Sequence, residues 1–126
     1  MTKEFVPYEQ ALAMKELGFD EPCFGCFNHL DNSEIWMNRT YMNGLTENIT
    51  APTYSQAFRW FREKYKLYPE INLHDREDEQ TWRFSIIILG EYNLVYNQNI
   101  AKDPYHKTYE EAELAAIVKL IEIVLK

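Results

Sequence analysis

The sequence predicts one α+β domain over residues 1–126, with helices packed on one face of an antiparallel sheet. The first observation is a capped amphipathic helix from Pro52 to Tyr65. The second is the apolar alternation from Thr81 to Leu89, which is the strongest strand signal in the chain. The third is a long apolar helical segment from Tyr109 to Leu125. Together with the shorter elements, these segments predict the order α-β-β-α-β-β-β-α.

The central helix organises this prediction. Thr53 is placed to cap its first turn and Gln56 to cap back, the reciprocal arrangement of a capping box. Thr108 and Glu111 repeat the pattern at the start of the last helix. At 3.6 residues per turn, one face of the central helix carries large aromatic side chains. The residues of that face are Tyr54, Ala57, Phe58, Phe61 and Tyr65. We therefore expect this helix at the centre of the core.

The remaining elements are shorter. A first helix from Tyr8 to Leu17 is followed by Gly18, which suits a left-handed C-cap that folds Phe19 back onto Met14. Apolar alternation between turn residues predicts the strands. They are Cys23 to Asn28, Glu34 to Thr40, Leu67 to Leu73, Thr81 to Leu89 and Tyr92 to Asn97.

Turn residues and a proline separate these strands. Pro69 predicts that its strand lies at an edge of the sheet or starts irregularly. The charged segment from His74 to Gln80 is predicted to be a solvated turn. Gly90-Glu91 is predicted to be a two-residue hairpin turn.

The composition is that of a folded protein with an acidic surface. Hydrophobic residues make up 46% of the 126 residues and aromatic residues 15%, which excludes a disordered chain. The net charge of −7 argues against non-specific nucleic-acid binding. The sequence contains neither the apolar run of a membrane span nor the apolar segment of a signal peptide. With two cysteines only, we expect a reduced, cytoplasmic protein.

Three segments carry a resemblance to known proteins. They are FVPYEQALAMKELGFDEPCFG, APTYSQAFRWFREKY and TYEEAELAAIVKLIEIV, from both ends and the middle of the chain. The chain resembles in them a family of small proteins from Bacteroidetes genomes and from the phages and mobile elements that these genomes carry. That family has no assigned activity. The resemblance therefore implies an origin and carries over no catalytic residues.

The sequence CFGC at positions 23–26, followed by His29, is the sharpest chemical motif. Two cysteines and a nearby histidine are typical zinc ligands, and a redox pair would need a helix N-terminus at the first cysteine. The predicted strand instead points Cys23 and Cys26 to opposite faces. We favour buried cysteines that pack as small apolar residues, and keep a zinc or redox domain as an alternative.

A basic stripe on the central helix is the second candidate site. Arg59, Arg62 and Lys66 share one face, with Trp60 at its margin. The cations suit an anionic ligand such as a nucleotide phosphate, and the indole suits stacking on a base. The competing interpretation is a solvated helix face that is paired with acidic neighbours such as Glu63.

The sequence contains no recognisable catalytic constellation. The histidines are scattered in predicted loops, and no serine lies in a nucleophile-elbow pattern. A phosphate-binding glycine-rich loop is also missing, and the chain has only four glycines. We therefore expect a non-enzymatic protein that requires no cofactor.

Aromatic and apolar residues favour an interaction protein. Nine tyrosines are many for this length, and tyrosine and tryptophan are enriched at interfaces, although aromatic residues also fill small cores. The last helix is apolar over most of its circumference, as expected for a helix that is either buried between the sheet and its neighbours or shared with a second subunit. The candidate interface residues are Trp36, Tyr92, Tyr96, Tyr105, Ile117, Ile121 and Leu125. We expect the partner to be an unknown host or phage protein, or a second copy in a homodimer.

Overall fold

The computed structural model describes residues 4–28, 34–37, 40–41, 49–76, 79–90, 93–97 and 105–126. The helices are α1 (Tyr8–Glu16), α2 (Tyr54–Tyr65) and α3 (Tyr109–Leu125). The strands are β1 (Gly25–Phe27), β2 (Ile35–Trp36), β3 (Thr50–Ala51), β4 (Leu67–Arg76), β5 (Glu79–Ile88) and β6 (Asn93–Asn97). Contacts group the chain into two compact units. They are an N-terminal unit, Met1–Ala57, and a C-terminal unit, Phe58–Lys126.

The predicted α+β class, the antiparallel strands and the order of the predicted elements are confirmed. The structure adds the short strand β3 and distributes the strands over two three-stranded sheets, β2-β1-β3 and β4-β5-β6, in place of one sheet. A single domain over residues 1–126 stays a prediction. None of the helices in the described part of the chain is long and apolar enough to cross a membrane.

The N-terminal sheet is centred on β1. Cys26 lies opposite Trp36 of β2 on one side and opposite Thr50 of β3 on the other. All residues of β1 are buried. The strands predicted at Cys23 to Asn28 and Glu34 to Thr40 are therefore present in shortened form. The helix α1 packs against β3 in this unit.

The end of α1 follows its predicted chemistry. Gly18 has a φ of 101°, in the region that glycine adopts without a Cβ penalty. The N–H of Gly18 donates to the Lys15 carbonyl at 3.0 Å, and that of Phe19 donates to the Met14 carbonyl at 2.9 Å. These are the two hydrogen bonds of a Schellman motif. Met14 and Phe19 are both fully buried, as the apolar contact of this motif requires.

Both capping threonines are in place, but their partners bond elsewhere. The Thr53 hydroxyl accepts the Gln56 N–H at 3.2 Å, and the Gln56 amide nitrogen donates to the Pro22 carbonyl at 2.7 Å. The Thr108 hydroxyl accepts the Glu111 N–H at 3.1 Å. The Glu111 carboxylate accepts the N–H of the residue before Thr108. The hydrogen bond from each threonine hydroxyl to the helix backbone is thus confirmed. The side chains of Gln56 and Glu111 bond to other groups than the backbone N–H of the capping threonine.

The C-terminal sheet is built on one long hairpin. β4 and β5 pair over ten residues each, up to Arg76 opposite Glu79. The prediction of a solvated turn from His74 to Gln80 is therefore wrong at both ends, because backbone pairing continues through polar sequence. β4 lies at the edge of the sheet, as Pro69 indicated.

The other side of β5 pairs with β6. A bulge lies between Ile86 and Ile87. Ile88 lies opposite Asn93, so the connection is longer than the two-residue turn predicted at Gly90-Glu91. Gly90 itself adopts a φ of 93°, which explains the need for glycine there.

The last helix, α3, packs against β5 and β4 within the C-terminal unit. Its buried stripe combines small and large apolar residues. They are Ala112, Ala116, Ile117, Leu120 and Ile121. The opposite side of α3 exposes Val118 and Leu125. The helix is therefore buried along one stripe against its own sheet.

Candidate interaction surface

The outer edge of β4 presents backbone hydrogen-bonding groups. The N–H of Leu89 donates to the carbonyl of Lys66 at 2.7 Å, while the Lys66 N–H donates to the Arg62 carbonyl at 3.1 Å, so the carbonyl of Lys66 points towards the strand that pairs with β4. Hydrogen-bonded and non-hydrogen-bonded pairs alternate along an antiparallel ladder. Every second residue of β4 therefore directs its N–H and C=O away from β5. These outward residues are Leu67, Pro69, Ile71, Leu73 and Asp75.

A second set of bonds gives the same assignment. The backbone of Trp82 bonds to His106 in both directions, at 2.7 and 2.8 Å. Trp82 lies opposite Leu73 in the ladder, and its backbone groups point away from β4. The pair of Leu73 and Trp82 is thus non-hydrogen-bonded, which directs the backbone of Leu73 to the open edge.

Exposed apolar side chains accompany these backbone groups. Tyr68 is 38% exposed and Leu73 is 47% exposed. Glu70 between them is also exposed. Among the described residues, no backbone group bonds to the outer edge of β4. We call β4 from Tyr68 to Arg76, with its outward backbone groups, the β4 edge.

An aromatic cluster supports the sheet behind this edge. Phe84 is 3% exposed, and its ring lies 5.1 Å from that of Tyr96 and 6.2 Å from that of His106. The Trp82 ring meets Tyr109 of α3 edge to face at 5.1 Å. The Trp82 contact joins β5 to α3, and the Phe84 contacts join β5 to β6 and to the segment before α3.

The structure half-buries two of the predicted interface tyrosines. Tyr96 is half-buried, with the Lys119 ammonium 4.6 Å from its ring centroid, and Tyr105 is also half-buried. Trp36 is 36% exposed and belongs to the N-terminal unit. Tyr92 lies outside the described residues. The predicted aromatic residues therefore belong to two different units, and their role in an interface stays a prediction.

The predicted outer side of the last helix is wrong for two of its three residues. Ile117 is 0% exposed and Ile121 is 8% exposed, because both belong to the stripe that packs on the sheet. Leu125 is 69% exposed and remains on the surface. One exposed leucine near a chain end does not make an interface.

The basic stripe of α2 does not form an open ligand site. Trp60 is 5% exposed, so its ring lacks the free face that stacking on a base requires. The Lys64 ammonium lies 5.0 Å from the Trp60 ring centroid, and the Arg62 guanidinium lies 5.7 Å from that of Tyr68. Arg59 and Lys66 are exposed. Cation–π contacts thus hold one cation of the predicted stripe, Arg62, and its neighbour Lys64 on rings of the protein itself.

Both cysteines are buried free thiols. The Cys23 thiol donates to the Glu21 carbonyl at 3.5 Å, and burial raises its pKa to about 11. The thiolate, and not the thiol, acts as a nucleophile and binds metal ions. The raised pKa of Cys23 therefore disfavours both nucleophilic chemistry and metal binding at this residue. Within the described ranges, no three His, Cys, Asp or Glu residues are grouped as metal ligands. His29 lies outside those ranges.

The pKa of Glu113 on α3 is raised to about 7 by burial and by the neighbouring Glu110. A raised carboxyl pKa means that the folded state holds this proton more tightly than the unfolded state. The contribution of Glu113 to the free energy of unfolding is therefore fully present below pH 4.5 and is lost as the pH rises through about 7. We expect Glu113→Gln to stabilise the protein by about 1 kcal/mol at pH 8, after allowance for solvent screening, and to change little at pH 4.

Urea unfolding at the two pH values measures this difference. Glu122→Gln is the matched control, because Glu122 is half-exposed and pairs with Lys119 on the same helix at 3.0 Å. It should change stability by only a few tenths of a kcal/mol at either pH. An equal effect of Glu113→Gln at pH 4 and pH 8 would contradict the raised pKa.

The sequence predicted that this strand ends at Leu73, so the part of the β4 edge from His74 to Arg76 was not predicted. Pro69 was the local signal of an edge position, and it pointed to the right strand. The backbone directions depend on the pairing with β5, which no local pattern contains.

Comparisons with known proteins provide no relative. The chain matches no protein-family model, no curated protein and no solved structure at a significant level.

Proposed function

We propose that this chain is a non-enzymatic interaction protein that binds another polypeptide by adding a strand at the β4 edge. The observation that supports the proposal is the row of outward backbone groups beside the exposed Tyr68 and Leu73. An extended segment of a partner would pair with these groups, and its side chains would contact the two apolar ones. Each added backbone bond contributes about 0.5–1.5 kcal/mol net. A few such bonds only offset the cost of association, so contacts with the exposed apolar side chains have to supply the remaining affinity.

The candidate partners follow from the sequence. A phage or mobile-element origin, which the resemblance implies, favours a host protein or another phage protein, and the cell compartment would be the cytoplasm. A second copy of the chain is the other candidate. Nucleotide binding receives less support, because the burial of Trp60 removes the stacking surface on which that idea depends.

A photo-crosslinker at the edge tests the proposal. p-Benzoylphenylalanine in place of Leu73 should give a discrete protein adduct when cells that produce the chain are irradiated. The same amino acid in place of Val118, which is 36% exposed on α3, is the matched control and should give none. The mass of the adduct identifies the class of partner. The absence of any adduct at position 73, or equal adducts at both positions, would overturn the proposed function.

A further inference from the structure

Pro69 limits where a strand can be added to the β4 edge. It is one of the outward residues and has no N–H to donate. The outward donors that follow it are Ile71, Leu73 and Asp75. An added strand therefore gains an unbroken series of donors and acceptors only from Ile71 onwards.

We infer that this segment pairs with the same segment of a second copy, so that the two C-terminal sheets form one continuous antiparallel sheet. The inference rests on the proposed function and names its partner. Two identical antiparallel strands are related by a two-fold axis, at which one residue lies opposite itself. An axis at Leu73 places Ile71 opposite Asp75 and includes every donor of the segment in a hydrogen-bonded pair.

Charge and exposure favour this register over its two neighbours. With the axis at Leu73, Glu70 stands opposite Arg76, a favourable cross-strand pair that occurs twice by symmetry. An axis one residue earlier or one residue later keeps the same residues outward but places Arg76 opposite Tyr68 or Asn72, respectively, so this pair is lost. The axis at Leu73 also sets the most exposed apolar residue of the strand against its own copy.

The pairing also accounts for the central stretch of β4. Edge strands of monomeric proteins are usually short, covered or interrupted by charges and prolines. β4 is ten residues long, and its proline and charged residues (Pro69, Glu70, Asp75 and Arg76) leave the stretch from Ile71 to Leu73 uninterrupted. Two-fold pairing covers the outward backbone groups of this stretch in the dimer, and a closed interface of this kind does not grow into a fibre.

Light scattering after size exclusion tests the inference on the full chain. We expect wild type at twice the 15.1 kDa mass of the chain. Leu73→Lys places like charges across the axis and should give a monomer that still unfolds cooperatively, with a melting temperature that no longer depends on protein concentration. Val118→Lys, which changes another exposed apolar residue on α3, should remain a dimer.

A charge swap tests the register itself. Glu70→Arg and Arg76→Glu should each raise the dimer dissociation constant about tenfold, because each sets like charges opposite one another twice. The double variant, with both changes, should restore wild-type dimerisation. A swap that fails to restore it would overturn the register.

Two results separate this inference from the proposed function. A wild type that stays monomeric, or a Leu73→Lys variant that stays dimeric, overturns the pairing with a second copy. If the crosslinker at position 73 then yields an adduct of another mass, the β4 edge binds a different protein and the proposed function stands. If it yields no adduct, both fail together.

Discussion

Ile117→Lys is expected to prevent folding of the C-terminal unit. Ile117 has no exposed surface and lies on the stripe of α3 that packs against β5 and β4. The substitution loses the apolar burial and places an ammonium group where no solvent reaches it, which together cost at least about 4 kcal/mol. This is comparable to the whole stability of a small protein. Far-UV circular dichroism and thermal melting should show loss of the cooperative transition.

Leu125→Lys is the matched control on the same helix. Leu125 is 69% exposed, and a cation in the last turn interacts favourably with the helix dipole. It should therefore melt like wild type, within about 0.5 kcal/mol. A folded Ile117→Lys variant that converts an oligomer to a monomer would contradict the structure and return Ile117 to the interface that the sequence predicted.

The elements that were predicted well are those with local signals. The end of α1 was predictable because Gly18 and Phe19 form a Schellman motif with residues only a turn away. The bounds of α3 were predictable because Thr108 caps it and apolar periodicity runs without a break to Leu125. In both cases the chemistry that ends the element lies within a few residues of the end.

The elements that were missed depend on distant partners. β3 consists of Thr50 and Ala51, which is too short for any periodicity, and it exists because both residues pair with β1. β4 continues past Leu73 because its backbone remains opposite that of β5. The ladder ends with Arg76 opposite Glu79, in a stretch whose sequence alone is typical of a charged turn.

The candidate site was hard to predict for the same reason. α3 is apolar around most of its circumference, so periodicity alone could not tell which side faces the sheet. The structure buries the side that carries Ala112 and Ala116, where small residues let the helix approach the strands closely. Trp60 lay at the margin of the apolar face of α2, and only tertiary packing placed it inside.

Gly25→Ala is expected to destabilise the N-terminal unit by about 1–3 kcal/mol, which urea unfolding would measure. A Cβ at this position would lie 2.8 Å from Ile35 Cγ2, 3.1 Å from Phe5 Cε1 and 3.3 Å from Ala51 Cβ. Gly25 lies in the middle strand of its sheet, with a strand on each side. The backbone therefore cannot move away from one neighbour without approaching another.

The same substitution in an Ile35→Ala background separates overpacking from other effects of losing a glycine. Ile35→Ala removes the nearest of the three atoms, so the added methyl group should cost less there than in wild type. Gly90→Ala serves as the contrast, because no atom of the other described residues, its chain neighbours aside, lies within 4 Å of its added Cβ, and the φ of 93° is what opposes the substitution. Its cost of about 1 kcal/mol should be the same with Ile35 or Ala at position 35. Strictly additive costs for Gly25→Ala and Ile35→Ala would mean that the close approach to Ile35 is not what requires glycine in β1.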